Sequence, residues 1–205
     1  MKKTTLIFAL LSWSWYYSYA QTSPLPVKFI VHAGLNIAKL KYMGGVTNTI
    51  PTLSLGIEVS KELSKSVFFT SGIQYNGKGG RINFGGLEYN KLVFNYINIP
   101  FNIGYKVFIR ENLNLTLAGG VFGGMAIGGR YNRLFDGDFT SGKIFSETDS
   151  PRRTDFGFNI GVGIEFNNKI MLSINQSPGI INLSQDPTDP LHTRCSTIRL
   201  GYVIN

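Results

Sequence analysis

Apolar and polar residues alternate one by one over four long stretches of this chain, a period of two that separates two faces only on an extended strand. From Val27 the residues Val27, Phe29, Val31, Ala33, Leu35 and Ile37 share one face, with Lys28, His32 and Asn36 on the other. Leu53, Leu55, Ile57 and Val59 oppose Thr52, Ser54, Glu58 and Ser60. Ile97, Ile99, Phe101, Ile103, Tyr105 and Val107 oppose Asn98, Asn102 and Lys106, and Phe156, Phe158, Ile160, Val162, Ile164 and Phe166 oppose Asp155, Asn159 and Glu165. Weaker versions over Val67–Asn76, Leu113–Gly128, Ile170–Leu183 and Arg194–Ile204 bring the expected strands to eight. No window outside the N-terminus reads as a spanning helix. The most apolar one, from Leu113 to Gly129, contains six glycines as well as Asn114 and Thr116, and each interior Gly costs a helix about 1 kcal/mol relative to Ala.

The gaps between these strands carry the next step. They fall at about Leu40–Pro51, Lys61–Ser66, Gly77–Lys91, Ile109–Asn112, Gly129–Arg153, Asn167–Lys169 and Ser184–His192, alternating long and short throughout. A soluble barrel has no reason to gather its short turns at one end. An outer-membrane barrel does, with short periplasmic turns, long extracellular loops and an even strand count. A lipocalin-like barrel would show the same alternation with its apolar face inside. Eight strands with four to six large apolar residues each would overfill an interior that side chains of an eight-stranded barrel just fill, so the apolar face points outward to lipid. Aromatics near the strand ends complete the pattern as girdles, with Phe29, Phe69, Tyr105, Phe166 and Tyr202 on the short-turn side and Tyr42, Tyr75, Phe94 and Phe156 on the long-loop side. Pro100 cannot donate to a ladder, which predicts a bulge or bend in its strand. The fold class expected is all-β, an eight-stranded antiparallel transmembrane β-barrel.

Residues 1–20 read as a signal peptide: Lys2 and Lys3, an apolar stretch from Leu6 to Leu11, then Ser18-Tyr19-Ala20 as a small-x-small cleavage site. The mature domain is then 21–205, and its expected location is the bacterial outer membrane. The formal charge of +8 drops by two with Lys2 and Lys3, and no long basic run concentrates the remainder into a nucleic-acid footprint. The single Cys195 excludes an internal disulfide and a Cys-cluster zinc site.

The sequence offers no phosphate loop, no His-Glu-x-x-His and no nucleophile elbow, so no catalytic residue, metal ligand or cofactor is assigned. His32 stands on the polar face in mid-strand, where a catalytic base would need a nucleophile and an orienting acid. His192 with Asp186 and Asp189, or Asp136, Asp138, Glu147 and Asp149, are loose candidates for metal ligation; the latter four share their segment with Arg130, Arg133, Lys143, Arg152 and Arg153, as a mixed-charge surface would. Two groups stand out instead. Lys28, Glu58, Lys106 and Glu165 lie on polar faces near the short-turn side, with Arg199 a little deeper, and form an expected lumenal charge cluster. In the longest gap Arg130, Tyr131, Arg133 and Phe135 interleave basic and aromatic residues, as contact with lipopolysaccharide headgroups or an extracellular partner would require.

The run Asn95-Tyr96-Ile97-Asn98-Ile99-Pro100-Phe101-Asn102-Ile103-Gly104-Tyr105-Lys106 resembles the fourth-strand signature of the PorT-like small outer-membrane barrels of Bacteroidetes, with Asn98 where that family prefers Glu. Leu115 to Gly124, Asp155 to Glu165 and Leu200-Gly201-Tyr202 are similar to its later strands. The resemblance implies a non-enzymatic barrel with a structural or adhesive role exercised through extracellular loops, or an auxiliary role in an outer-membrane export machine; a lipid-modifying enzyme is the remaining alternative. Implied partners are outer-membrane lipid and lipopolysaccharide, the barrel-assembly machinery during biogenesis, and an extracellular or export-machine protein.

Overall fold

The computed structural model describes residues 26–85, 88–146 and 150–204, so the expected signal peptide and the acidic residues Glu147 and Asp149 lie outside the described residues. Its strands are β1 (Val27–Tyr42), β2 (Gly45–Val46), β3 (Ile50–Glu62), β4 (Val67–Gly85), β5 (Glu88–Arg110), β6 (Leu113–Phe135), β7 (Asp138–Lys143), β8 (Thr154–Phe166), β9 (Ile170–Pro178) and β10 (His192–Ile204). Eight of them form a ring of antiparallel neighbours, β1-β3-β4-β5-β6-β8-β9-β10, and β10 pairs back onto β1 from Phe29 opposite Ile204 to Lys41 opposite His192. Closure leaves the wall without a free edge, the condition for crossing hydrocarbon with strands.

The wall is turned inside out relative to a water-soluble protein. Leu35, Ile103 and Ile160 are each more than 60% exposed, whereas Asn36 and Ser54 are fully buried. Only lipid makes the first arrangement stable, because it accepts apolar side chains at no hydration cost while water is kept for the lumen. Tight turns close the periplasmic end. At the β8–β9 turn Asn167 and Asn168 adopt φ of 50° and 53°, and the Lys169 amide donates to the Phe166 carbonyl at 2.9 Å. Asn tolerates this left-handed backbone better than most residues, which is why two asparagines stand there.

The extracellular end departs from expectation. Most of Gly77–Lys91 and the first half of Gly129–Arg153 are strand rather than open loop: β4 and β5 remain paired as far as Gly85 opposite Glu88, β5 and β6 as far as Tyr89 opposite Leu134, and β6 folds back on β7 through Asp136 and Gly137 at φ of 50° and 82°. Above the membrane a strand has water on both faces, so its ladder can persist without the apolar alternation that reveals it in the sequence. The result is a four-stranded ribbon, β4-β5-β6-β7, standing on the barrel. At its base Ile127 of β6 is an extra residue: Tyr96 faces Ala126, whereas Asn95 faces Gly128. Such a bulge exchanges the faces of the strand beyond it, and Tyr131 is thereby turned onto the core cluster.

Three further expectations are corrected. Pro100 causes no bulge. The β4–β5 register is the same on both sides of it, and only the pairing of Gly72 and Ile73 is interrupted. The strand expected over Ile170–Leu183 stops at Pro178, and Leu183 is buried in the segment that follows. Phe94 is no girdle residue: it is fully buried inside the barrel, because it shares the even-numbered face of β5 with Tyr96 and Asn98.

Candidate functional site

The inward column of β1, read from periplasm to exterior, orders the lumen into layers. At the bottom, Lys28 Nζ lies 3.2 Å from Glu62 Oε1 and 3.5 Å from Glu165 Oε1, and Lys106 Nζ lies 2.9 Å from Glu165 Oε2 and 3.7 Å from Glu62 Oε1. One layer up, His32 Nε2 and Arg199 Nη1 approach Glu58 Oε1 at 3.3 and 3.5 Å. Gln74 donates to the same carboxylate and accepts from Arg199 Nη2 at 3.1 Å. A Cβ on Gly56 would collide with the His32 ring, so only glycine leaves that imidazole its place. The five expected charged residues therefore all enter the lumen, but as two groups rather than one. Glu62 and His32 complete them. Both were legible, since Glu62 continues the even-numbered face of Glu58 and His32 that of Lys28.

Above the charges the packing turns neutral and then apolar. Asn36 donates to the carbonyls of Leu53 and Gly77 at 3.1 and 3.0 Å and accepts from Thr197 Oγ1 at 2.7 Å, while Ser54 donates to Asn76 at 2.8 Å. Next comes an ion pair absent from the sequence reading. Lys78 Nζ and Asp155 Oδ2 lie 2.8 Å apart with both side chains at most 1% exposed. Thr193 donates to the same oxygen at 2.7 Å, and the ammonium sits 4.1 Å from the Phe122 ring centroid and 4.8 Å from that of Tyr96. Leu40, Phe94, Tyr96, Ala126 and Ile144 then close the extracellular end, with Leu92, Tyr131, Phe145 and Leu191 packed around them.

Between Lys28, His32, Glu58, Phe68, Lys106, Glu165 and Arg199 lies a cavity of about 70 Å³, lined by charged and apolar side chains alike. It has room for several ordered waters and no room for a solute path. Planar-bilayer recordings of the purified protein are accordingly expected to lack any stable porin-sized conductance, and such steps would contradict the layered closure.

The extracellular candidates are distributed along the ribbon rather than in a loop. Arg130 and Lys143 are exposed and directly opposite one another, whereas Tyr131, the next residue, faces the other way and is half-buried against the apolar plug. Arg133 stacks 5.0 Å above the Phe135 ring, which meets Phe84 edge-on at 6.5 Å. Phe139, near the tip, is 62% exposed. Among the described residues the metal candidates do not come together: His192 Nδ1 bonds the Ile181 carbonyl at 3.1 Å, and Asp186 accepts from the amide and hydroxyl of Thr188 at 2.8 and 2.7 Å. Those two donors hold the Asp186 carboxyl below its usual range.

A ring of eight antiparallel strands with an apolar exterior and a polar, layered interior defines a small transmembrane barrel. Residues 19–185 match the outer membrane protein beta-barrel domain family, and the chain belongs to that family; its place is the outer membrane. No curated protein matches the chain. Among solved structures, Ail, the attachment invasion locus protein of Yersinia pestis, is similar at 12% identity and a TM-score of 0.47, over 86% of this chain and 98% of that one. Neisserial surface protein A is similar at 12% identity and 0.46, over 85% and 96%. The outer membrane enzyme PagL is similar at 14% identity and 0.44, over 84% and 97%.

Proposed function

We propose that this chain is a non-enzymatic outer-membrane protein that works as a scaffold or surface-binding protein through its extracellular ribbon, and that it belongs with the PorT-like barrels of Bacteroidetes on the Asn95–Lys106 signature. The observation that carries the reading is the ribbon itself. It is a hydrogen-bonded four-stranded extension that carries Phe84, Phe135 and Phe139 exposed beyond the barrel mouth, beside Arg133. Large exposed apolar side chains on ordered backbone, rimmed by charge, are what a protein-binding surface presents. The interior supports the same reading, since its charged groups are engaged with one another and the apolar plug closes the lumen on the extracellular side.

The test is cross-linking on intact cells from a photoreactive group at position 139, followed by mass spectrometry. A discrete extracellular or outer-membrane protein captured by the wild-type ribbon, and lost with Phe135→Ser/Phe139→Ser, is the expected result. Capture only from positions in the periplasmic turns, in stoichiometric association with a secretion complex, would overturn it in favour of an export subunit.

A further inference from the structure

On the opposite side of the barrel from the ribbon tip, the outward face of the β1–β10 seam changes from apolar to cationic within one step of the strand. Below the step Leu35, Ile37, Ile198 and Leu200 are 47–62% exposed and form a lipid-facing column. Above it Lys39 stands directly opposite Arg194 and Lys41 directly opposite His192, in a ladder that runs without a bulge from Phe29 to Lys41. The same parity that sends Ile37 to lipid sends Lys39 and Lys41 outward. Lys39 therefore sits about 7 Å beyond the last lipid-facing residue of its strand, two residues at ~3.3–3.4 Å each. Like charges placed directly across two paired strands repel, and among the described residues no carboxylate lies within ion-pair distance of Lys39, Lys41 or Arg194.

We propose that Lys39, Arg194 and Lys41 form a binding site for a phosphate group carried by a glycolipid of the outer leaflet. The site points sideways rather than up, so the anion that neutralises it comes from the headgroup layer and not from a protein approaching from outside. An Arg fork beside a Lys suits a phosphate, which has oxygens for both: the guanidinium binds two of them in its plane and the ammonium acts as a point charge. One phosphate between Lys39 and Arg194 turns a repulsive cross-strand pair into a bridged one, and Lys41 lies two residues further out for a second phosphate or sugar-acid group. In this way the β1–β10 seam, where the first and last of the described strands pair and close the ring, is clamped by lipid. The site lies outside the ribbon, so it stands whether or not the ribbon binds a partner.

The experiment uses the full folded protein in a neutral detergent, with native mass spectrometry reading the retention of diphosphoryl lipid A and of the same lipid stripped of both phosphates. Wild-type protein is expected to retain the phosphorylated form selectively and to release it as salt is raised. Lys39→Gln/Arg194→Gln is expected to weaken retention roughly 25-fold, about fivefold for each cation removed at a membrane surface, while Lys169→Gln, an exposed cation in the periplasmic β8–β9 turn, leaves it unchanged. Should the double variant fail to fold, Lys41→Gln alone and the wild-type salt series decide the matter. Equal retention of the stripped lipid, or retention indifferent to salt, overturns the proposal.

Discussion

Asp155→Ala is expected to destabilise the folded barrel by about 3–5 kcal/mol, the range found when one partner is removed from a buried ion pair. Lys78 would be left without its carboxylate in a compartment roofed by Phe94 and Tyr96 and floored by the Asn36 network, with aromatic faces as its remaining company. Those faces attract a desolvated ammonium by about 2 kcal/mol or more, but that attraction is already present beside the carboxylate at 2.8 Å and does not replace it. Thr193 would lose its acceptor as well. The measurement is the temperature at which the compact, fast-migrating species on a gel converts to the unfolded one. Lys143→Ala, on the exposed ribbon, supplies the reference, and Lys78→Met/Asp155→Leu should recover most of the loss because apolar residues of similar volume can replace a buried pair at little cost. A shift for Asp155→Ala no larger than that for Lys143→Ala would show that water reaches the pair.

Glu165→Ala and Glu58→Ala should come next in size, at about 1–3 kcal/mol each. Glu165 is the shared acceptor of Lys28 and Lys106, and Glu58 that of Arg199, His32 and Gln74. Both effects fall below that of Asp155→Ala for one reason: these carboxylates and the cations Lys28, Lys106 and Arg199 are 6–12% exposed rather than sealed, so water near the periplasmic mouth can solvate an orphaned cation. Glu62 also remains beside Lys28 and Lys106 when Glu165 is gone. The same melting comparison reads these variants, and an order with Glu165→Ala above Asp155→Ala would mean that the drier end of the lumen is not the extracellular one.

The barrel could be read from the sequence because the membrane imposes a chemical contrast at every second residue of every crossing. Leu35 against Asn36 and Ile57 against Glu58 announce both the strand and the direction each face takes. Outside the bilayer that contrast ends. Gly77, Gly79, Gly80 and Gly85 make the upper half of β4 look like a loop, although its ladder with β5 runs through them to Gly85 opposite Glu88. Lys78 was hidden for the same reason: it stands in a glycine-rich run, and its partner Asp155 is 77 positions away, so no local spacing links them. Phe94 departs from expectation for a different reason. Its parity with Tyr96 and Asn98 places it inside, but a large aromatic near a strand end suggests a lipid-facing girdle unless the extracellular end is stoppered.

The extra residue at Ile127 gives the chain an economical way to change its outward appearance. Beneath it the lattice of the wall holds each side chain to lipid or lumen; above it the ribbon has inherited the opposite setting, with Arg130 displayed and Tyr131 tucked away. Removing that one residue would leave the crossing segment of β6 untouched while reversing which side chains its upper part shows to the surroundings. A cysteine at position 131 would report the reversal by becoming reactive to a membrane-impermeant maleimide on whole cells. A single-codon deletion, far from any tip residue, thus amounts to a wholesale change of the surface the cell presents.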